Sequence, residues 1–427
     1  MKPSRFIIAL AASALLLLPR VALPAVIASA APSLDFDPSV RGAGMGKSSV
    51  AVFWGDDPNY WANPALLGYH EGVRYEWSKV RLAPDLLDHI YFTSSRLTVG
   101  WGGLGVSFAG RPVEGLGELK LDYGDIYGRD EFGDPTGPFH AYEQIESWGI
   151  GANIVELAES TIRMLGWQMP GLSRFGDVSV GTRRNHVADF WGPGSPAVMA
   201  DTQFARATTE DRGLVFRLTP YNSIDSPGLS RAVDSFLRPA LGGVRVDLSY
   251  GESVQNHEDA YFVSPWEERS YIAKEDRHGL AVHFAVGFPG VLNDRLNSAG
   301  MGWLADMLTP LVSWGKAWDR TTASMVNSET GGRVTEGEIE LSGWELTLGN
   351  VFTIRRGRID EPSDFYYPLH GETTGWGVGF ESRFGGLRYD RATVPQEADL
   401  GALHPKAFDV WINPLAVVRA LRGRARP

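Results

Sequence analysis

Leu280-Ala281-Val282-His283-Phe284-Ala285-Val286-Gly287-Phe288 alternates a large apolar side chain with a small or polar one along its whole length. A period of two puts alternate residues on opposite faces of a strand. The pattern recurs. Val73, Tyr75 and Trp77 alternate with Arg74, Glu76 and Ser78, and Val244, Val246, Leu248 and Tyr250 with Arg245, Asp247 and Ser249. Trp344, Leu346 and Leu348 alternate with Glu345, Thr347 and Gly349, and the phase resumes at Phe352 and Ile354 with Arg355 on the other face. Trp376, Val378 and Phe380 alternate with Gly377, Gly379 and Glu381. Each strand therefore has one greasy face and one polar or tiny face. A soluble sandwich buries the greasy face between sheets, whereas a transmembrane barrel turns it to lipid and the other face to a lumen. Strands of about nine residues or more suit a tilted crossing. Tyr75, Trp77, Tyr250, Trp344 and Trp376 fall near strand ends, where an interfacial girdle sits.

Residues 1–30 read as an export signal. Lys2 and Arg5 precede the apolar run Phe6–Leu18, and Ala28-Ser29-Ala30 is a small-residue cleavage site. Arg20 and Pro24 interrupt the run before it reaches the length of a membrane helix. Loss of Lys2, Arg5 and Arg20, with no acid, would move the formal charge from -11 to -14. So acidic a chain argues against a nucleic-acid partner, which needs a basic stripe. No cysteine occurs, so neither disulfides nor a lipidated cysteine is expected. No later segment has the apolar length of a spanning helix, so a membrane crossing would require a closed barrel.

Tight turns are expected at Trp101-Gly102-Gly103 and Gly385-Gly386, and long polar loops over 122–140, 186–240, 253–275, 291–337 and 357–371. Two segments have helical spacing: Ser230–Leu241, and Trp303–Trp314 with Pro310 ending or kinking it. No fixed-period repeat is evident.

Arg41-Gly42-Ala43-Gly44-Met45-Gly46-Lys47-Ser48 is not a phosphate-binding loop. Arg41 stands where the first glycine is required, and Phe36-Asp37-Pro38 precedes it in place of an apolar strand. The nine histidines show no metal spacing, and no Gly-x-Ser-x-Gly elbow occurs, so no enzyme, cofactor or metal is expected.

The same segment, followed by the apolar run Val50–Trp54, the pair Asp56-Asp57 and Asn63-Pro64-Ala65, resembles the start of the FadL-like outer-membrane barrels, PorV/PorQ-like branch. Gly375-Trp376-Gly377-Val378-Gly379-Phe380, Leu387-Arg388-Tyr389-Asp390 and Val394-Pro395-Gln396 are similar to that branch's penultimate strands, and Ala407–Asn413 to a last one. The resemblance implies an all-β fold: an antiparallel transmembrane β-barrel of about 14 strands with an N-terminal plug. The expected division is signal 1–30, plug 31–70, barrel with long loops 71–413 and basic tail 414–427. The plug motif is Arg41, Gly44, Met45, Gly46, Asp57, Asn63, Pro64 and Ala65, with Arg41 and Asp57 as partners for lumen charges. Alternation phase nominates Arg245, Asp247, His283, Glu345 and Glu381 as lumen residues. The implied function is passive uptake of hydrophobic small molecules through the plugged lumen, in an outer membrane whose lipid surrounds the wall. The alternative is a non-conducting partner in secretion or assembly, as PorV-like members are in type IX secretion. A soluble secreted β-sandwich is a third reading.

Overall fold

The computed structural model describes residues 31–418 apart from 56–57, 86–88, 111–117, 130–134, 168–170, 192–201, 225–240, 264–268, 328–329, 362–368, 383 and 397–399. Seventeen strands are present among the described residues. In chain order they are β1 Gly72–Arg81, β2 Tyr91–Trp101, β3 Leu104–Ala109, β4 Leu119–Arg129, β5 Pro135–Asn153, β6 Gly176–Trp191, β7 Thr202–Asn222 and β8 Val244–Gln255. There follow β9 Tyr261–Val263, β10 Arg269–Tyr271, β11 Lys274–Val286, β12 Val312–Val326, β13 Arg333–Leu348, β14 Phe352–Asp360, β15 His370–Ser382, β16 Gly385–Thr393 and β17 Lys406–Ile412.

Fifteen of these form one antiparallel sheet in which β1 pairs with both β2 and β17. The sheet therefore closes on itself. Segments β3 and β4 share one place, each lying between β2 and β5, so the barrel has 14 strands. The remaining pair, β9–β10, is a small hairpin in the β8–β11 connection. Closure removes the exposed edges that a sandwich would keep.

The register turns the greasy positions outward all round. Leu280, Phe284, Trp376, Phe380, Phe408, Val410 and Ile412 are exposed large apolar residues, whereas Ala281, His283, Glu381 and Asp409 are buried. The lipid-facing alternative of the sequence pattern is thus the one adopted. Among the described residues no helix is long and apolar enough to cross a bilayer.

The polar runs at 122–140, 186–240, 253–275, 291–337 and 357–371 are not loops throughout. They include most of β4, all of β7, β9, β10 and β12, and parts of β5, β6, β13 and β14. Charged residues on both faces hid the alternation there. Gly385-Gly386 opens β16 instead of forming a turn. The predicted 303–314 helix ends at Met307, and Trp314 belongs to β12. Most of the predicted 230–241 helix lies outside the described residues.

One rim of the barrel, here called proximal, holds the start of β1 and the end of β17. It also carries the helices α3 Ile154–Met164, α4 Gly290–Ser298 and α5 Gly302–Met307. The distal rim carries the β9–β10 hairpin. Residues 31–70, with the short turns α1 Pro32–Asp35, α2 Val40–Gly44 and a 3-10 turn Pro64–Tyr69, are largely buried against inward-facing wall residues.

Candidate functional site

The inward segment 31–70 lies on bare backbone. On strand after strand the inward residue at its level is glycine, and a Cβ there would collide with it. Such a Cβ would lie 2.1 Å from the His70 carbonyl at Gly100, 2.0 Å from the Leu67 carbonyl at Gly105 and 1.9 Å from Asn63 Oδ1 at Gly213. At Gly251, Gly343 and Gly357 the neighbours are the Val50 carbonyl at 2.4 Å, the Met45 carbonyl at 2.1 Å and Gly46 N at 2.2 Å. These glycines are partly in register across strands: Gly72, Gly100, Gly105, Gly151, Gly181 and Gly213 pair in sequence. The result is a belt at which the wall has no side chains and the segment takes their place. Where the segment itself supplies a glycine, a Cβ at Gly44 would lie 3.2 Å from the Cα of Gly375 on β15, and one at Gly375 would lie 3.0 Å from the Gly44 Cα.

Polar anchors supplement the belt. Asn63 donates from Nδ2 to the carbonyls of Val50 (2.8 Å), Leu214 (3.1 Å) and Glu252 (3.2 Å), and its Oδ1 accepts from Ala65 N at 3.0 Å. Pro64 follows at the first position of its turn, where no N–H is needed. Asp319 on β12 accepts from the Ser49 and Val50 amides at 2.7 and 2.9 Å. Arg183 on β6 lies 3.9 Å over the Trp61 ring, donates to the Trp61 carbonyl and pairs with Asp211 at 2.5 Å.

Arg41 forks onto Glu345, Nη2 to Oε1 at 2.8 Å and Nε to Oε2 at 3.0 Å. Glu345 also receives Arg355 at 2.6 Å; Arg355 reaches Asp390 at 2.5 Å, and Asp390 binds Arg388 at 2.8 Å. This buried chain of alternating charge ties the segment to β13, β14 and β16. Each charge has an opposite neighbour, the condition under which buried ions are tolerated. A second cluster joins Asp247, which accepts from Arg245 (2.8 Å) and Thr219 (2.6 Å), to His283 Nδ1 at 3.0 Å. His283 Nε2 meets Ser313 at 2.8 Å, and its ring stacks on Trp54 at 5.0 Å. In a third, Tyr69 donates to Asp177 at 2.5 Å, Arg217 pairs with Asp177, and its guanidinium lies over the Phe53 and Tyr69 rings.

These clusters surround a cavity of about 390 Å³ at the proximal end. Arg41, Arg245, His283 and Glu345 line it, with Trp54 from the segment and Glu156 from α3. Burial, then Glu71, pushes the Glu156 carboxyl up to about 7. Burial and the Asp177 carboxylate push the Tyr69 phenol above its ordinary range.

The distal interior is different in kind. Val80, Phe92, Leu121, Ile145, Val187, Leu341 and Ile359 face inward and pack with Leu34, Phe36 and Trp61 of the segment. Three levels therefore stack along the axis: a distal interior where this apolar packing surrounds a few charges, among them Asp35, Lys47, Glu143 and Glu361, the glycine belt with its inserted segment, and the charged proximal cavity.

Of the sequence-nominated residues, Gly44, Met45 and Gly46 lie at the belt beside Gly375, Gly343 and Gly357, and Pro64 and Ala65 beside Gly181. Arg245, His283 and Glu345 reach the proximal cavity, and Asp247 bridges the first two. Glu381 is buried on β15 and does not line that cavity. Asp57 lies outside the described residues. Sequence reasoning missed Asp177, Arg183, Asp211, Arg217 and Asp319. Asp211, Arg217 and Asp319 stand in stretches read as loops, and Asp177 and Arg183 in a segment given no element; only a two-residue phase carried through those stretches would have found them. No group of metal ligands occurs among the described residues.

No protein-family model matches the chain, and no curated protein does. Among solved structures it is similar to the toluene transporter TbuX of Ralstonia pickettii (11% identity, 88% of this chain and 98% of that one, TM-score 0.38). It is also similar to the toluene transporter TodX of Pseudomonas putida (10% identity, 87% and 96%, TM-score 0.38). A Pseudomonas aeruginosa FadL homologue is a third such structure (8% identity, 91% and 99%, TM-score 0.35).

Proposed function

We propose that this chain is an outer-membrane barrel of FadL-like kinship, PorV/PorQ-like branch, that passes hydrophobic small molecules inward without an energy source. In this reading residues 1–30 export it and are removed, the proximal rim faces the periplasm, and residues 31–70 are the plug. The observation that carries it is the apolar distal wall built on Val80, Phe92, Leu121, Ile145, Val187 and Ile359, which Leu34, Phe36 and Trp61 of the plug now cover and which plug withdrawal would open. A pore for water-soluble cargo is lined with polar groups. An apolar lining instead receives a molecule that water rejects. Arg41, Asn63 and the belt glycines hold the plug; Arg245, Asp247, His283 and Glu345 belong to the wall beneath it.

The closeness of plug to wall favours a second reading, a non-conducting barrel that serves secretion or assembly. One experiment separates the two. The lipophilic dye N-phenylnaphthylamine is kept out by an intact outer membrane and fluoresces on reaching an apolar phase. Expression of the folded barrel, verified by heat-modifiable gel migration, is expected to speed dye entry, and Val187→Asp to reverse the gain without loss of folding. Folded barrel with entry no faster than in control cells would sink the transport reading and leave the second. Ala51→Cys with Ser249→Cys, whose parent residues meet at 2.7 Å (Ser249 Oγ to the Ala51 carbonyl), brings two thiols within reach of a short thiol-to-thiol cross-linker that would hold the plug. Entry blocked by the bridge shows that the plug moves.

A further inference from the structure

The outward apolar band on the strands is too short for a bilayer. Aromatic residues mark its distal limit: Tyr250 on β8, Trp318 on β12 and Trp376 on β15. Beyond them the outward positions become charged: Glu252 and Arg320 follow at the next outward place and Glu372 after Thr374, all exposed. From these aromatics to the proximal ends of the same strands, Val244, Val312 and Ser382, the chain runs about 20 Å at ~3.3 Å per residue. A tilt of ~40° leaves roughly 15 Å of height, against an apolar band of about 25 Å in outer-membrane barrels. The one lysine inside this zone on β12, Lys316, lies 4.8 Å over the Trp318 ring, toward the distal limit. About 10 Å of hydrocarbon is thus unmatched by the strands, and it lies on the proximal side.

A helix lying across the rim is about 10 Å thick. Helix α3 does lie there, and its exposed residues Ile154, Ala158, Thr161 and Leu165 form an uncharged stripe at helical spacing. Its other acid beside Glu156, Glu159, is buried and holds Ser173 through two hydrogen bonds. Met164, Leu165 and Trp167 are 65–71% exposed, which a water-facing surface would not favour for three large apolar side chains so close together. This surface is continuous with the lipid-facing wall. A groove of about 490 Å³ is lined by Met164 of α3, Leu415 of the C-terminal turn, and Val73, Val99 and Trp101 of β1 and β2, with Glu71, Glu156 and Arg163 also on its walls.

We propose that the proximal helices complete the apolar zone: α3, its trailing Leu165–Trp167 and the turn at Leu415 lie in the phospholipid acyl region of the adjoining leaflet. Arg163, exposed at the end of α3, has the stem length to keep its cation at the level of the phosphates. The inference rests on the membrane-barrel reading and extends it to parts that do not span.

The absence of cysteine makes single spin labels clean to place. Leu165→Cys and Leu415→Cys are compared in phosphatidylethanolamine–phosphatidylglycerol vesicles with Phe284→Cys, on the strand band, and Arg320→Cys, beyond the aromatic limit. Collision with dissolved oxygen reports lipid, and collision with a nickel chelate reports water. Labels at 165 and 415 should have an oxygen-to-nickel ratio within about two-fold of that at 284 and well above that at 320. Labels at 165 and 415 that match 320, with 284 in lipid, overturn this inference and leave the barrel reading intact. A label at 284 that reads water overturns the membrane reading and this inference with it.

Discussion

Gly343→Ala decides whether the seat of the plug is as close as the glycine belt requires. A methyl at Gly343 would stand 2.1 Å from the Met45 carbonyl oxygen and 2.6 Å from its carbon, where ordinary contact begins near 3.4 Å. The obstacle is backbone at both atoms, so no side chain can swing aside. The plug must retreat by about 1.3 Å for that contact to relax. Overpacking of this kind costs about 1–3 kcal/mol. The Arg41–Glu345 fork, 2.8 Å long and two residues along the same strand, would stretch past hydrogen-bond range, and loss of one side of a buried pair adds to the cost, up to ~3–5 kcal/mol. Without a plug at this level the sign reverses. Gly→Ala in a relaxed strand gains roughly 0.4–1 kcal/mol by restricting the unfolded chain. Guanidinium unfolding in vesicles, followed by tryptophan fluorescence, measures the difference, with outward Ser342→Ala as the control. A midpoint for Gly343→Ala equal to or above the parent's would refute the close seat.

Arg41→Ala is expected to destabilise by about 2–4 kcal/mol in the same assay, and Arg41→Lys to recover only part, because an ammonium cannot fork onto Glu345. Asn63→Asp keeps the shape but points oxygen at the Val50, Leu214 and Glu252 carbonyls; a loss of about 2 kcal/mol or more is expected, and an unchanged unfolding midpoint would contradict the assigned contacts. Asp35, fully buried in the plug, has its carboxyl pushed well above the ordinary range by burial, then by Glu275, with Lys47 opposing and Glu143 and Glu361 adding. A raised folded value means the folded state holds the proton more tightly. Its contribution is complete below the unfolded carboxylate range and is lost as pH rises through the folded value. Unfolding midpoints of Asp35→Asn should therefore exceed the parent's at pH 8 and approach them at pH 4, a convergence that a pH titration of the two proteins would show or exclude.

The strands with clean alternation were legible from their residues, and so was the inward phase of Asp247, His283 and Glu345. That phase is local: one face must meet lipid and the other must not. The turn role of Asn63-Pro64-Ala65 was also legible, because asparagine and proline carry it themselves. Strands β4–β7, β12 and the distal part of β13 were not read, since they extend distally past the apolar band, where both faces are polar and the period of two leaves no hydropathy trace. Helix α3 was missed because its outward stripe and its buried Glu159 scramble the usual pattern of an apolar face turned to a core. The ion-pair chain through Arg355, Asp390 and Arg388 depends on cross-strand register, which no single strand encodes.

The belt also changes what a mutation at a wall glycine reports. Gly105, Gly213 and Gly343 sit in strands that would each welcome a branched residue for their own sake. What forbids it is the peptide 31–70, far away in the sequence. Selection at these positions is exercised at a distance, by a segment that belongs to none of these strands. A gene fragment that omitted residues 31–70 would encode a ring with an unlined waist, and its glycines would then be the first places to accumulate bulk.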